Sequence, residues 1–320
     1  MRDQRGAALL SVLLLVAILS VIAVAAVDRL NLATRLTGNL QATEQARSYG
    51  RAAELIAMRR IATTLQTDPS RTTLQGDWEG REVNVPIDLG SATATLTDVG
   101  NCFNLNSLVE GQPGQALTAR PVAIAQFARL LELLEIASPV AQSVAVATAD
   151  WIDSDTAPQA GGAEDPYYQS LKPGYRTANT LLTDPSELRA VAGVTPALYT
   201  RVRPFICTLP VTDLSPININ TLRPEKAALL AMLSPALDPR RAQAALAARP
   251  AAGFGEVAAF RALPQLAGVV DDLSQLRVAT RWFGLRLRVS LDDAEFEEHA
   301  LIDAGTQPAK LVRRAYGEPT

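Results

Sequence analysis

Residues Ala7 to Val27 form a run of 21 residues without a charge, whose only polar side chains are Ser11 and Ser20. A helix rises about 1.5 Å per residue, so this run spans roughly 30 Å, the thickness of a bilayer's hydrocarbon core. A short charged leader, Met1 to Gly6, precedes it, and Arg2 and Arg5 favour keeping that end in the cytoplasm. The rest of the chain would then lie across the membrane. Three readings fit such a segment. It is a cleaved secretory signal with its small-residue site among Ala23, Ala25 and Ala26, a plain membrane anchor, or an apolar segment that is retained after a cut behind Gly6.

The residues after Val27 favour the third reading. No proline occurs before Pro69, and Leu30, Ala33, Leu36 and Leu40 recur at spacings of three and four. Ala46, Tyr49, Ala53, Ile56 and Ile61 continue an apolar stripe, while Gly38 and Gly50 weaken the helix without ending it. The pattern predicts one helix from about Ala7 to about Gln66, ~90 Å long, apolar all round in its first third and amphipathic beyond. A secretory signal has no reason to run into such a helix.

Composition removes whole classes of chemistry. The 320 residues carry 30 Lys and Arg against 33 Asp and Glu, a formal charge of -3, so bulk electrostatic binding of nucleic acid is not expected. One histidine, His299, and two cysteines, Cys102 and Cys207, exclude the common four-ligand zinc sites within one chain. Any histidine-based hydrolytic mechanism would have to use His299, which follows the acidic run Asp292 to Glu298 at an expected strand start and reads as a surface residue. Carboxylate chemistry stays open.

Past the helix the periodicity changes. Glu82 to Leu89 and Ala92 to Val99 alternate with period two and read as strands, with Pro86 marking an edge. The centre reads as helical: Pro121 to Ala137, Pro139 to Asp150, Ser186 to Val191, Pro196 to Val202, Pro224 to Leu233, Pro239 to Ala248, Gly255 to Leu263 and Leu273 to Val278. Phe283, Leu285, Leu287 and Val289 alternate with Arg286 and Arg288, and Glu298 to Ala304 and Lys310 to Tyr316 add two more strands. A weak internal repeat stands out. Phe103-Asn-Leu-Asn-Ser-Leu108 matches Ile217-Asn-Ile-Asn-Thr-Leu222, each preceding a helical region, in a form suited to a strand end that turns into a helix cap.

Three constellations could carry function. The segment Asp150 to Asp165 holds five carboxylates and no Lys or Arg. Crowded carboxylates repel, and a hard cation relieves that repulsion. With Asp153 as position one of a calcium loop, Asp155 falls at position three and Glu164 at twelve. Ala157 and Pro158 at five and six break the EF-hand pattern. The spacing alone fits an irregular calcium loop and a solvated acidic loop equally. Second, Leu188 to Tyr199, with Gly193 at its middle, has the form of half a helix-hairpin-helix. Such a unit grips DNA in some proteins, but Arg189, Arg201 and Arg203 form no stripe, so packing against protein is the preferred role. Third, Cys102 and Cys207 would sit in an oxidising compartment if the topology holds. A disulfide there would close a loop of about 105 residues, and is preferred over two separate buried thiols.

The segment from Arg5-Gly6-Ala-Ala-Leu-Leu-Ser to Ser20 resembles the start of the type II secretion minor pseudopilins of the K class, general secretion pathway protein K. The stretches Asp150-Trp-Ile-Asp-x-Asp, Gly162-Ala-Glu-Asp-x-Tyr-Tyr168 and Tyr175-Arg-x-Ala-Asn179 are similar to that class's most recognisable internal region. The resemblance implies a leader (1–6) cut between Gly6 and Ala7 by a prepilin peptidase, and a helix over 7–66 that crosses the inner membrane at 7–27. It also implies an α+β, pilin-like fold, in which that helix packs on an antiparallel sheet drawn from 67–100 and 281–320, with a large all-α domain inserted over 101–280. Most pilins and pseudopilins carry a glutamate at the fifth mature position. Here that position is Ser11, as in the K class, and a subunit without this carboxylate would sit poorly inside a filament but could sit at its tip.

The resemblance further implies structural calcium at Asp153, Asp155, Glu164 and Asp165, with Asp150 and Asn179 as secondary candidates. It implies a non-enzymatic role at the tip of a periplasmic pseudopilus that exports folded proteins. The partners implied are the I and J minor pseudopilins, with H a further candidate, the major pseudopilin and the inner-membrane assembly platform, and no nucleic acid. Two rivals are a membrane-tethered helix-hairpin-helix protein that captures DNA in an uptake system, and a carboxylate-dependent hydrolase using the acidic loop.

Overall fold

The computed structural model describes residues 3–68, 70–87, 90–112, 114–269, 274–291, 294–306 and 308–317. The expectations placed on Met1, Arg2, Pro69, Asp88, Leu89, Leu273 and Asp292 lie outside the described residues.

The chain opens with α1 (Asp3–Thr67), one helix of 65 residues that includes part of the charged leader. Its upstream part, from Leu9 to Leu40, is exposed along its whole length. Downstream, Ala46, Gly50, Ala53, Ala57 and Ile61 recur every three or four residues and bring one face of the helix onto a sheet. The face is made of small side chains, which lets the helix come close. A Cβ at Gly50 would lie 3.0 Å from a ring carbon of Phe296.

The sheet begins with β1 (Glu82–Val85) and β2 (Ser91–Asp98). The chain then leaves it for a long insertion. There β3 (Phe103–Asn104) precedes a 3-10 turn, β4 (Val109–Glu110) pairs with β5 (Thr118–Ala119), and α2 (Pro121–Leu133) packs beside α3 (Ser138–Ile152). After α4 (Asp165–Gln169) and α5 (Pro196–Val202) come β6 (Ile206–Cys207), β7 (Ile217–Asn218), α6 (Ala228–Ala231), α7 (Pro239–Ala247), α8 (Val257–Arg261) and β8 (Leu276–Arg277). The chain returns to the sheet with β9 (Trp282–Leu291), β10 (Ala294–Asp303) and β11 (Lys310–Tyr316).

Among the described residues the sheet has five strands in the order β1-β2-β9-β10-β11, all antiparallel. The register pairs Ala94 with Leu287 and Leu96 with Leu285, so early and late chain segments share one apolar face under α1. β1 lies at an edge, in keeping with Pro86. The fold is thus α+β, a long helix on an antiparallel sheet with a mainly helical insertion between β2 and β9.

The internal repeat has a structural meaning. β3 pairs in parallel with β6, and β7 pairs in parallel with β8. In each copy the first asparagine accepts the backbone N–H two residues on (Asn106 N to Asn104 Oδ1, 3.3 Å; Asn220 N to Asn218 Oδ1, 2.9 Å). The second asparagine reaches across the chain. Asn106 accepts from Leu182 N and donates to the carbonyls of Leu182 and Leu209, while Asn220 accepts from Phe254 N and donates to Phe254 O. Both are fully buried, so these bonds satisfy backbone that would otherwise be stranded. Cys102 and Cys207 are bonded beside the β3–β6 pair, their Cα atoms 5.8 Å apart.

Five local expectations are corrected. The segment read as a helix from Leu273 to Val278 contains β8 instead, because Ile217 and Ile219 donate to the carbonyls of Gln275 and Arg277 and buried Leu276 alternates with them. The predicted helix from Pro121 stops at Leu133, where Glu135 turns to a φ of 63°. The segment read as a helix over Ser186 to Val191 is a 3-10 turn, Pro185–Ala190, and Pro224 to Leu233 divides into a 3-10 turn and the four-residue α6. His299 stands inside β10, half-buried, with Nε2 3.0 Å from Glu297 Oε1, rather than at a strand start.

Candidate functional site

The acidic segment is built on the end of α3. Alternating small and apolar residues bury that helix, and it ends with Asp150 and Asp153 at 0% and 2% exposure. The chain turns through Asp155 and comes back to Glu164, 1% exposed, at the N-cap of α4. One carboxylate oxygen from each of Asp153, Asp155 and Glu164 lies within 4.8 Å of the others. Among the described residues, Asp153 Oδ1 and both Glu164 oxygens are buried and find no hydrogen-bond partner. Burial, with the nearby charges of Asp155, Asp150 and Glu164, pushes the Asp153 carboxyl up to about 7. Burial and the neighbouring Asp150 likewise raise Glu164. Stranded carboxylate oxygens at this spacing, with no cation among the sixteen residues of the loop, fit a hard oxygen-seeking divalent ion.

The remaining candidates take other positions. Asp150 accepts Gln159 Nε2 at 2.8 Å and Gln159 N at 3.2 Å, and so pins the loop. Gly162 is needed to pass it, since a Cβ there would meet Asp150 Oδ2 at 1.9 Å. Asp165 points to the next segment, accepting from Thr177 N and Thr177 Oγ1 at 3.0 and 2.9 Å with Arg176 at 3.8 Å, and these contacts lower its pKa. Asn179, at a φ of 47°, donates its backbone N–H to Trp151 O. Asp165 and Asn179 therefore tie 175–179 onto the loop and are not among the three converging carboxylates. An aromatic group backs the site, with Trp151 5.0 Å from Tyr168 and Tyr168 5.4 Å from Tyr175. Gln159 and Thr177 escaped the sequence reading. The Gly161-Gly162 pair inside an acidic run was the one local hint of a tightly folded loop.

In the helix-hairpin-helix segment, Gly193 with a φ of 79° joins the 3-10 turn Pro185–Ala190 to α5. Its arginines are partly occupied within the protein. Arg189 lies over the Tyr199 ring at 5.8 Å, and Arg201 Nη1 donates to the carbonyls of Leu134 and Glu135.

At the other end of the molecule, Gly6 and Ala7 lie within α1 and Ser11 is on its exposed surface. The apolar window of this helix has a mean hydropathy of 3.0 and none of it is buried, so it is long and apolar enough for a single membrane span.

Comparison with known proteins reports on the chain as a whole. Family profiles described as "Type II secretion system (T2SS), protein K" match residues 101–211 and 217–279. The type II secretion system protein K of Aeromonas hydrophila is 37% identical over 99% of this chain and 98% of its own length. That of Pectobacterium carotovorum subsp. carotovorum is 34% identical over 98% and 97%. A solved chain from the GspK–GspI–GspJ complex of the enterotoxigenic Escherichia coli type 2 secretion system superposes with a TM-score of 0.77. It has 31% identity and covers 88% of this chain and 99% of that one. With an exposed apolar helix docked on a sheet, a helical insertion and relatives matched over their whole length, the chain belongs to the type II secretion system protein K family.

Proposed function

We propose that this protein is the minor pseudopilin at the tip of a periplasmic pseudopilus, where it initiates assembly and helps move folded proteins across the outer membrane. The observation that carries this reading is the continuity of α1. One uninterrupted helix runs from an unburied apolar span into a face docked on the sheet, and a bulky insertion is carried between β2 and β9 of that sheet. Such a subunit can pack against others through the exposed part of α1, while the insertion hinders addition of a further subunit above it. Ser11 in place of a glutamate supports the terminal position, since no carboxylate there needs a neighbour's amine.

The protein is anchored in the inner membrane by one span, with its globular part in the periplasm, and is trimmed between Gly6 and Ala7 by a prepilin peptidase. Its nearest partners are the I and J minor pseudopilins, a reading supported by the complex in which the similar chain was solved. The H class, the major pseudopilin and the assembly platform complete the set. It performs no catalysis and binds no nucleic acid. The internal engagement of Arg189 and Arg201 weakens the DNA-capture alternative.

Calcium at Asp153, Asp155 and Glu164 is part of the proposal. Its chemistry there would be structural, offsetting the repulsion of the three carboxylates and satisfying their stranded oxygens. Mass spectrometry of the mature N-terminus, extracted from membranes, tests the reading. A start at Ala7 supports it, and a start among Val24 to Val27 refutes it.

A further inference from the structure

The sheet face turned away from α1 and the inserted helical region enclose an open cleft of about 790 Å³, within the ~300–1,000 Å³ range of ligand-sized sites. Five cations line it from four separate stretches of chain: Arg203, Arg223 and Lys226 from the insertion, Arg286 from β9 and Arg313 from β11. This is a concentration of positive charge on a chain whose formal total is -3.

The carboxylates that share the cleft do not balance it. Asp98 is held inward, accepting from Gly100 N at 2.9 Å, from Thr221 Oγ1 at 2.5 Å and from Thr280 Oγ1. Asp184 accepts Ser186 N at 2.8 Å in the capping box of its 3-10 turn. Among the described residues Glu79 Oε2 is buried and finds no hydrogen-bond partner, and burial raises its pKa towards the neutral form. The cations are less committed. Among the described residues the side chains of Arg203 and Lys226 make no hydrogen bond or close ion pair, although Asp184 acts on Arg203 and Glu79 and Asp98 act on Lys226 at longer range, and Arg223 gives one 3.4 Å bond to a carbonyl. Arg286 shares Glu297 with Arg288 and His299, so two arginines draw on one carboxylate. Arg313 spends its donors on the neutral oxygens of Thr183 and Thr208.

The shape of the cleft narrows the choice of ligand. β11 is an edge strand, and its Arg313 and Ala315 form part of the wall. An extended chain entering here would meet cations on both sides and backbone groups at the open edge of β11. We propose that this cleft binds a carboxylate-rich, extended peptide segment of a partner protein.

The test uses the full-length chain in detergent micelles and a fluorescein-labelled hexaglutamate peptide, followed by fluorescence anisotropy. Saturable binding that weakens several-fold as salt rises is expected. The Arg203→Glu, Arg223→Glu double variant should lose at least about tenfold in affinity. Arg240→Glu, an exposed charge change on α7 outside the cleft, should stay within about twofold. If charge reversal unfolds the protein by circular dichroism, Arg203→Gln with Arg223→Gln gives the same comparison. Failure of hexaglutamate to saturate overturns the proposal. So does an equal loss in Arg240→Glu, or tighter binding of a mixed-sequence DNA oligonucleotide than of hexaglutamate.

Discussion

Replacing Glu298 by glutamine should make the protein more stable at pH 8 and flatten its pH dependence. Glu298 on β10 and Glu54 on α1 are 1% and 4% exposed and lie together at the helix–sheet joint. A single guanidinium serves both. Arg314 Nη2 donates to Glu54 Oε2 at 2.6 Å, Arg314 Nε donates to Glu54 Oε1, and that same Nε is 3.7 Å from Glu298 Oε1. Burial raises Glu54, but the hydrogen bonds from Arg314 and Glu298 bring it below the usual range. Burial, with the hydrogen bond to Glu54 and the charge on it, pushes Glu298 up to about 8. One proton is therefore shared between the two acids.

Because the folded pKa of Glu298 lies above its unfolded value, the folded state keeps a proton that the unfolded chain releases. The associated stability is fully present below the unfolded pKa and is lost as pH rises through about 8. Between pH 6 and 8 the loss approaches ~1.4 kcal/mol per pH unit, about 2 kcal/mol in all. For a unit of this size that corresponds to about 4–8 °C in melting temperature. Glutamine keeps a donor for Glu54 and cannot ionise. Melting of the detergent-solubilised chain, followed by tryptophan fluorescence at pH 6, 7 and 8, should show this extra slope in the parent and not in Glu298→Gln. Asp153, also raised, contributes a slope of the same sign, so the informative quantity is the difference between parent and variant. Equal slopes, or a variant less stable than the parent at pH 8, would refute the reasoning.

Three further outcomes are expected. Terbium should bind the acidic loop and show emission sensitised by Trp151, tightening as pH rises through about 7 because Asp153 must lose its proton first. Asp153→Asn with Glu164→Gln should abolish the signal, and chelation should lower the melting temperature of the parent but not of this variant. Asn106→Ala should cost about 2–4 kcal/mol in urea denaturation, since it strands Leu182 N and two buried carbonyls, and Asn220→Ala should cost a similar amount through Phe254. If both substitutions stay within about 0.5 kcal/mol, the clamp reading of the repeat fails. Replacing Cys102 and Cys207 together by serine should destabilise by up to about 4 kcal/mol, because the bond closes a long loop whose closure entropy grows with the logarithm of its length, and a reducing agent should then have no further effect.

Several features were legible in the residues alone because their causes are local. The helix α1 follows from apolar spacing at three and four residues without a proline, and the strand β9 from alternation between Phe283 and Val289. Prolines at Pro121, Pro196 and Pro239 mark helix starts because the ring fits the first turn. The acidic loop was visible as charge crowding. Which of its carboxylates converge was not. Asp165 and Asp153 are the same residue type in one acidic run, yet Asp165 faces Thr177, and the difference depends on a return of the chain that no short-range pattern encodes.

The sequence by itself determined the apolar span, the long helix behind it and the alternating strands. These depend on backbone periods of 3.6 and 2 that any neighbouring residues reveal. The tertiary structure alone decided the pairing of Leu276 with Ile217, the asparagine clamps on Leu182 and Phe254, the joint of Glu54 with Arg314, 260 residues apart, and the gathering of cations in the cleft. Such contacts are set by how the chain closes over distances of tens to hundreds of residues. The side chains involved carry no local signature until packing excludes water from them and leaves each buried polar group in need of a partner.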